Sequence, residues 1–150
     1  GDRLNVVDAA CGSRFYNFEK TKDGGTTWTE VNGDPFDQNM GVAEGLLFFT
    51  NDFGFAGLTY ASEDFSMLYV TKDGGETFER LELPLDTVTE LPSEAAELGF
   101  TIEDYDYHTM PQIVDGKMEI YLQTDAMEQQ GIIFQSEDNG VTWEYAGCKE

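Results

Sequence analysis

Basic residues are scarce in this chain. Eight lysines and arginines stand against 30 aspartates and glutamates, a formal net charge of -22 over 150 residues. So negative a surface repels nucleic acid and anionic membranes, because binding either needs Lys and Arg to displace counterions. Nucleic-acid binding is set aside; cations, cationic partners and neutral ligands such as sugars stay open. Long apolar runs are missing too: nothing approaches the roughly 18 residues that a spanning helix needs, so membrane insertion is not expected. There is one histidine, His108, so no multi-histidine metal site exists and a triad would need that residue. The two cysteines, Cys11 and Cys148, form no Cys-x-x-Cys pair, and no phosphate-cradling glycine loop opens a helix.

What is present points to a packed protein. Apolar residues make up 40% of the chain and include 11 Phe, 7 Tyr and 2 Trp, enough for one globular domain spanning residues 1–150. The main signal is an internal repeat. Thr21-Lys22-Asp23-Gly24-Gly25-Thr26-Thr27-Trp28 recurs as Thr71-Lys72-Asp73-Gly74-Gly75-Glu76-Thr77-Phe78 and as Ser136-Glu137-Asp138-Asn139-Gly140-Val141-Thr142-Trp143. The shared pattern is hydroxyl, any residue, Asp, a small turn residue, Gly, any residue, Thr, aromatic. From ordinary residue frequencies it should arise well below once per about 10,000 positions, so three copies are not accidental.

Each part of the pattern has a physical reason. Asp-Gly-Gly and Asp-Asn-Gly tolerate the positive φ of a tight hairpin between twisted strands. The Asp carboxylate can accept hydrogen bonds from turn N–H groups and from the flanking hydroxyls. The aromatic is then expected to point into the core as the next strand begins. The octapeptide resembles the Asp-box, or BNR, repeat of sialidases, sortilin-type receptors, photosystem assembly factors and exported bacterial propellers. The resemblance implies an all-β, β-propeller-like array of about three four-stranded antiparallel blades, each with its box between the third and fourth strands.

The strands parse accordingly into units at about 4–34, 42–86 and 100–148. In the second, Gly45 to Thr50, Phe53 to Tyr60, Met67 to Val70 and Thr77 to Leu83 read as four strands. The first two are near-continuous apolar runs, as expected of strands buried on both faces. The third unit runs from Tyr105 to Val114, turns at Asp115-Gly116, and continues through Lys117 to Gln123, Ile132 to Ser136 and Thr142 to Ala146. The first unit is short: Leu4 to Ala10, Arg14 to Lys20 and Trp28 to Val31 leave room for three strands. Between units two and three, Ser93 to Leu98 reads as a short helix with Ser93 as N-cap and Gly99 as its end. Complete propellers usually have about four to eight blades. A compact three-bladed unit, two chains sharing a ring and a fragment of a longer protein all fit, and the oligomeric state stays open.

Catalysis finds little support. Sialidases of this kind clamp the substrate carboxylate with three arginines, and the chain has three, Arg3, Arg14 and Arg80. Arg80, however, is placed on an outer strand, and no Arg-Ile-Pro motif accompanies the boxes. A glycoside hydrolase fragment is therefore the least favoured function and no catalytic residue is assigned. One cluster stands out: on a strand, Asp104, Asp106 and His108 would share one side and could offer a cation or a ligand hydroxyl a seat in a central channel. The alternative is a solvated face backed by core tyrosines. No cofactor is implied; calcium is the metal left open. For the box residues, the structural role outweighs a ligand-binding one. The aromatics Phe36, Phe53 and Phe65 read as sugar platforms or as loop rings tucked into the fold.

The expected function is an exported, non-catalytic recognition module for carbohydrate or protein, or else a scaffold. The acidic, low-lysine composition and the repeat resemblance suit an extracytoplasmic or secreted setting, and a chain that begins at Gly1 rather than Met reads as trimmed, which leaves room for a lost export signal. In that setting Cys11 and Cys148 would pair, closing a loop worth about 4–5 kcal/mol in the chain-entropy model; in a reducing one they would be two separate thiols.

Overall fold

The computed structural model describes residues 1–10, 13–60 and 65–150, and it is all-β with three antiparallel sheets. The first sheet has the order β1 (Asp2–Ala10), β2 (Ser13–Lys20), β3 (Thr29–Asn32). The second is β4 (Val42–Phe48), β5 (Gly54–Thr59), β6 (Ser66–Thr71), β7 (Glu79–Arg80), again in chain order. The third holds β8 (Tyr107–His108), β9 (Gln112–Val114), β10 (Lys117–Gln123), β11 (Gly131–Ser136) and β12 (Glu144–Lys149). In it both β8 and β9 pair with β10, which is followed by β11 and β12. Each octapeptide joins the last two strands of its sheet: β2 to β3, β6 to β7 and β11 to β12.

The chain divides into two compact units, Gly1–Ala61 with Met67–Leu81, and Ser62–Ser66 with Glu82–Glu150. The core of the first is aromatic. Phe18 on β2 is fully buried, stacked on Phe48 and edge-on to Phe78, both at 5.5 Å between ring centres. Phe36 lies between Tyr16 and Tyr69 at 6.1 and 5.4 Å. Rings in these offset and edge-on poses gain beyond the area they bury. Strand β5 is buried at every position, as its unbroken apolar run predicts, whereas β4 is half-buried for most of its length because it ends the sheet. The core of the second unit includes Tyr105, Ile120, Leu122, Ile132, Phe134 and Trp143.

Several local expectations meet a different outcome. Asp115 and Gly116 both take positive φ (50° and 80°), closing the predicted β9–β10 hairpin. The continuous strand expected from Tyr105 to Val114 is broken, because Pro111 has no N–H to give the ladder. Thr109 instead makes two local bonds to Tyr121, its N–H donating to the carbonyl and its Oγ1 accepting from the N–H. The helix α1 (Glu94–Leu98) forms and ends on left-handed Gly99, but Ser93 does not cap it. Ser93 is already helical in its backbone, and its Oγ donates to Glu150 at 2.8 Å. The loop aromatics turn inward: Phe36 is core, Phe53 packs edge-on to Phe55 at 5.3 Å, and Phe65 is half-buried.

Candidate functional site

The three octapeptides fold into the same hydrogen-bonded turn. In the first, Asp23 Oδ1 accepts from Thr21 Oγ1 (2.8 Å) and from the Thr27 N–H (2.9 Å), while Oδ2 accepts from Thr27 Oγ1 at 2.5 Å. Thr21 Oγ1 in turn accepts from the Gly25 N–H at 3.0 Å. Asp73 repeats this with Thr71, Thr77 and Gly75, and Asp138 with Ser136, Thr142 and Gly140. The fourth and fifth positions take positive φ in every copy, which is why they are Gly-Gly twice and Asn-Gly once. These bonds hold the carboxylates ionised: those from Thr27 and Thr142 bring Asp23 and Asp138 down to about 2, and Thr77 lowers Asp73. A carboxylate so occupied has little left for a ligand.

The aromatics that end the turns differ in depth. Trp143 is buried, its Nε1 donating to Gly140 O at 3.2 Å. Trp28 makes the same bond to Gly25 O but is only half-buried, with the Arg3 guanidinium lying 4.0 Å over its ring. Phe78 is half-buried against Phe18. The expectation of three core aromatics holds fully for Trp143 alone.

The cluster proposed on one strand is spread over different elements. Asp104 closes a single 3-10 turn (Ile102–Asp104), where its Oδ2 accepts from the Thr101 N–H at 2.7 Å. Asp106 precedes β8, and its carbonyl lies 3.3 Å from His108 Nδ1. His108 is on β8, its Nδ1 also 3.2 Å from Ser66 O and its N–H bonded to Ser66 Oγ. Alternation along a strand cannot align the three, since only His108 is on one. Among the described residues no group of three His, Cys, Asp or Glu side chains is placed to hold a metal ion. Of the candidate arginines, Arg3 pairs with Glu19 at 2.7 Å near one end of the β1–β2 ladder, and Arg14 is near the other. Cys148 is a free thiol whose Sγ donates to Glu90 O at 3.3 Å, and burial pushes its pKa up. Cys11, the other half of the expected pair, lies outside the described residues.

A cleft of about 750 Å³ opens in the first unit between the first two turns. Its walls are Asp2, Lys20, Thr21, Lys22 and Thr27 on one side and Asn51, Asp52, Asp73, Gly74 and Glu76 on the other, with Thr29 and Val31 on β3. The loop after β4 is tied in place from three directions. Thr50 Oγ1 accepts from the N–H groups of Asp52 and Phe53, Asp52 O accepts from Gly74 N–H at 2.9 Å, and Asn51 O accepts from Lys20 Nζ at 3.2 Å. Lys20 also lies 3.6 Å from Asp2. By contrast, the side chains of Lys22, Asp52 and Glu76 carry no hydrogen bond or ion pair among the described residues. The result is a recess with its Asn51–Asp52 wall tied down and three uncommitted charged groups, two of them acceptors and one a donor.

Sequence reasoning missed this recess. The one available signal was that Lys20 and Lys22, a quarter of the chain's 8 basic residues, flank one turn. Asn51 and Asp52, on the loop between β4 and β5, come to it only through their carbonyl bonds to Lys20 and Gly74. Searches of protein-family models, curated proteins and solved structures return no match.

Proposed function

We propose that this protein is a non-catalytic recognition module of the Asp-box type, binding a hydroxyl-rich ligand in the cleft between its first two turns. The observation that carries this reading is the cleft: its volume suits a small ligand, about 300–1,000 Å³ being usual, and most of its lining side chains are polar, with Val31 the apolar one. A greasy ligand would strip water from Lys22, Asp52 and Glu76 without replacing it, which costs free energy at each group. A sugar offers paired hydroxyls that donate to carboxylates and accept from an ammonium. A polar loop of a protein ligand offers the same chemistry, and the two share one seat. The repeat resemblance and the acidic composition further support an extracytoplasmic setting, and the three sheets read as blades of a propeller-like array.

The test is thermal unfolding of the protein against mono- and oligosaccharides, cell-wall fragments and calcium. A ligand selective for the folded state stabilises it by about 2.7 kcal/mol at a hundredfold excess over its dissociation constant. The expected result is a raised midpoint with one saccharide class, abolished in Asp52→Asn/Glu76→Gln. A shift that survives both substitutions removes the cleft as the seat. No shift with any compound favours the scaffold reading, and turnover of chromogenic glycosides would replace recognition with hydrolysis.

A further inference from the structure

The cleft between the first two turns carries more negative charge than its own residues neutralise. Four carboxylates line it, Asp2, Asp52, Asp73 and Glu76, against the two lysines Lys20 and Lys22. Counting the Gly1 ammonium, which donates to Thr21 O at 3.0 Å, leaves the carboxylates still one ahead. Two of the four are occupied: Asp73 by the hydroxyls and N–H of its own turn, and Asp2 by Lys20 at 3.6 Å. The surplus therefore falls on Asp52 and Glu76, both exposed and both without a side-chain hydrogen bond or ion pair among the described residues.

These two belong to one wall. The Gly74 N–H donates to Asp52 O at 2.9 Å, and a Cβ on Gly74 would stand 3.7 Å from Asp52 Oδ1. Glu76 follows two residues later, its carbonyl accepting from Asn32 Nδ2 at 3.1 Å. None of these bonds involves Gly1, so the wall does not depend on what precedes that residue. Geometry decides which cation fits it. Calcium takes about six to eight oxygen ligands, and among the described residues no group of three His, Cys, Asp or Glu side chains is placed to hold a metal. An organic ammonium needs less, because its N–H donors are satisfied by two carboxylates and water. The rest of the lining says what should carry the ammonium. A lysine side chain of a protein would bring an aliphatic stem, for which the cleft has one apolar side chain, Val31. Lys22, Thr27 and Thr29 offer donors and acceptors to hydroxyls.

We propose that the ligand of this cleft is an amino sugar, its ammonium seated between Asp52 and Glu76 and its ring hydroxyls on Lys22, Thr27 and Thr29. This rests on the saccharide reading of the cleft and narrows it from hydroxyl-rich ligands to those that also carry an amine. An acetamide or a hydroxyl in place of the ammonium leaves two neighbouring carboxylates without a countercharge, and that difference sets the preference.

The probes are glucosamine, N-acetylglucosamine and glucose, which differ at one ring position. They are titrated at about pH 6, where such an amine is protonated, and at about 0.15 M salt. Binding and its place are read together from NMR shifts of the backbone amides. The expected result is glucosamine binding at least about tenfold tighter than the other two, with shifts centred on residues 22, 51–52 and 74–76. Asp52→Asn/Glu76→Gln should abolish that preference, whereas Glu97→Gln, at an exposed carboxylate of α1, should leave it unchanged. An equal loss in Glu97→Gln, or shifts outside the cleft, would assign the attraction to diffuse charge and overturn the proposal. Equal binding of the three sugars in the cleft would overturn it too, while keeping the saccharide reading. No binding of any sugar would overturn both. Acetyl-lysine amide binding as tightly as glucosamine would also overturn it, by giving the seat to a basic side chain of a partner protein.

Discussion

At the scale of single residues, the fifth position of the repeat shows how one chemical requirement acquires two strengths. Gly25 and Gly75 have nearly the same backbone, φ 97° and 93°. A Cβ on Gly25 would find only the Trp28 ring, 3.8 Å away, whereas on Gly75 it would run into the ring of Phe18. Gly25→Ala should therefore cost about 1–2 kcal/mol, the left-handed penalty alone. Gly75→Ala should cost about 2–5 kcal/mol, since overpacking adds to it. Urea denaturation of both variants checks the ordering, and equal costs would mean that Phe18 moves aside freely. The turn aspartates make a second prediction. Their pKa values are lowered on folding, so the stability they confer is present above the unfolded carboxylate pKa near 4 and lost as pH falls through about 2. Asp138→Asn should flatten the acid limb of the stability profile over that window. An unchanged limb would show that the turn keeps no preference for the ionised carboxylate.

At the scale of elements, α1 shows the opposite sign of the same linkage. Glu94, in its first turn, is buried and accepts from Tyr105 OH at 3.0 Å, with Glu128 and Asp125 near it. Burial raises the Glu94 pKa, with the Glu128 and Asp125 charges adding to it, although the Tyr105 bond works against the rise. The folded state then holds a proton that the unfolded chain gives up above about pH 4.5. Stability from this group is fully present below that value and declines as pH rises through the folded pKa. Glu94→Gln retains an oxygen for Tyr105 and removes the charge, so it should raise stability at pH 7 and remove that decline. Thermal melts from pH 4 to 8 decide it, and a destabilised Gln variant at pH 7 would mean that the carboxylate is needed ionised. Sequence showed α1 through its Ser93 and Gly99 boundaries. It could not show that Ser93 would bond Glu150, because that contact spans 57 residues.

At the scale of the whole molecule, the governing quantity is charge. Three ion pairs are formed among the described residues, so most of the acidic side chains repel one another unrelieved. Screening shortens that repulsion to about 10 Å at 0.1 M salt and about 3 Å at 1 M. Sodium chloride added from about 0.01 to 0.5 M should raise the unfolding midpoint progressively, whereas a surface held by ion pairs would lose stability. A flat or falling midpoint would place the acidic groups too far apart to matter.

The sequence by itself determined what lies within eight residues: three turns of one geometry, the strands on either side of them, and the all-β class. Those features follow from hydrogen bonds between Thr21 and Asp23 or Asp23 and Thr27, and from glycines at positive φ, so no distant partner is needed. Tertiary structure decided the rest. It buried Trp143 while leaving Trp28 under Arg3, gave Gly75 a ring to avoid, broke the strand meant to align Asp104, Asp106 and His108, and walled the cleft with Asn51 and Asp52. Each of these depends on which residues far apart in the chain come within a few ångströms, and a local pattern carries no record of that.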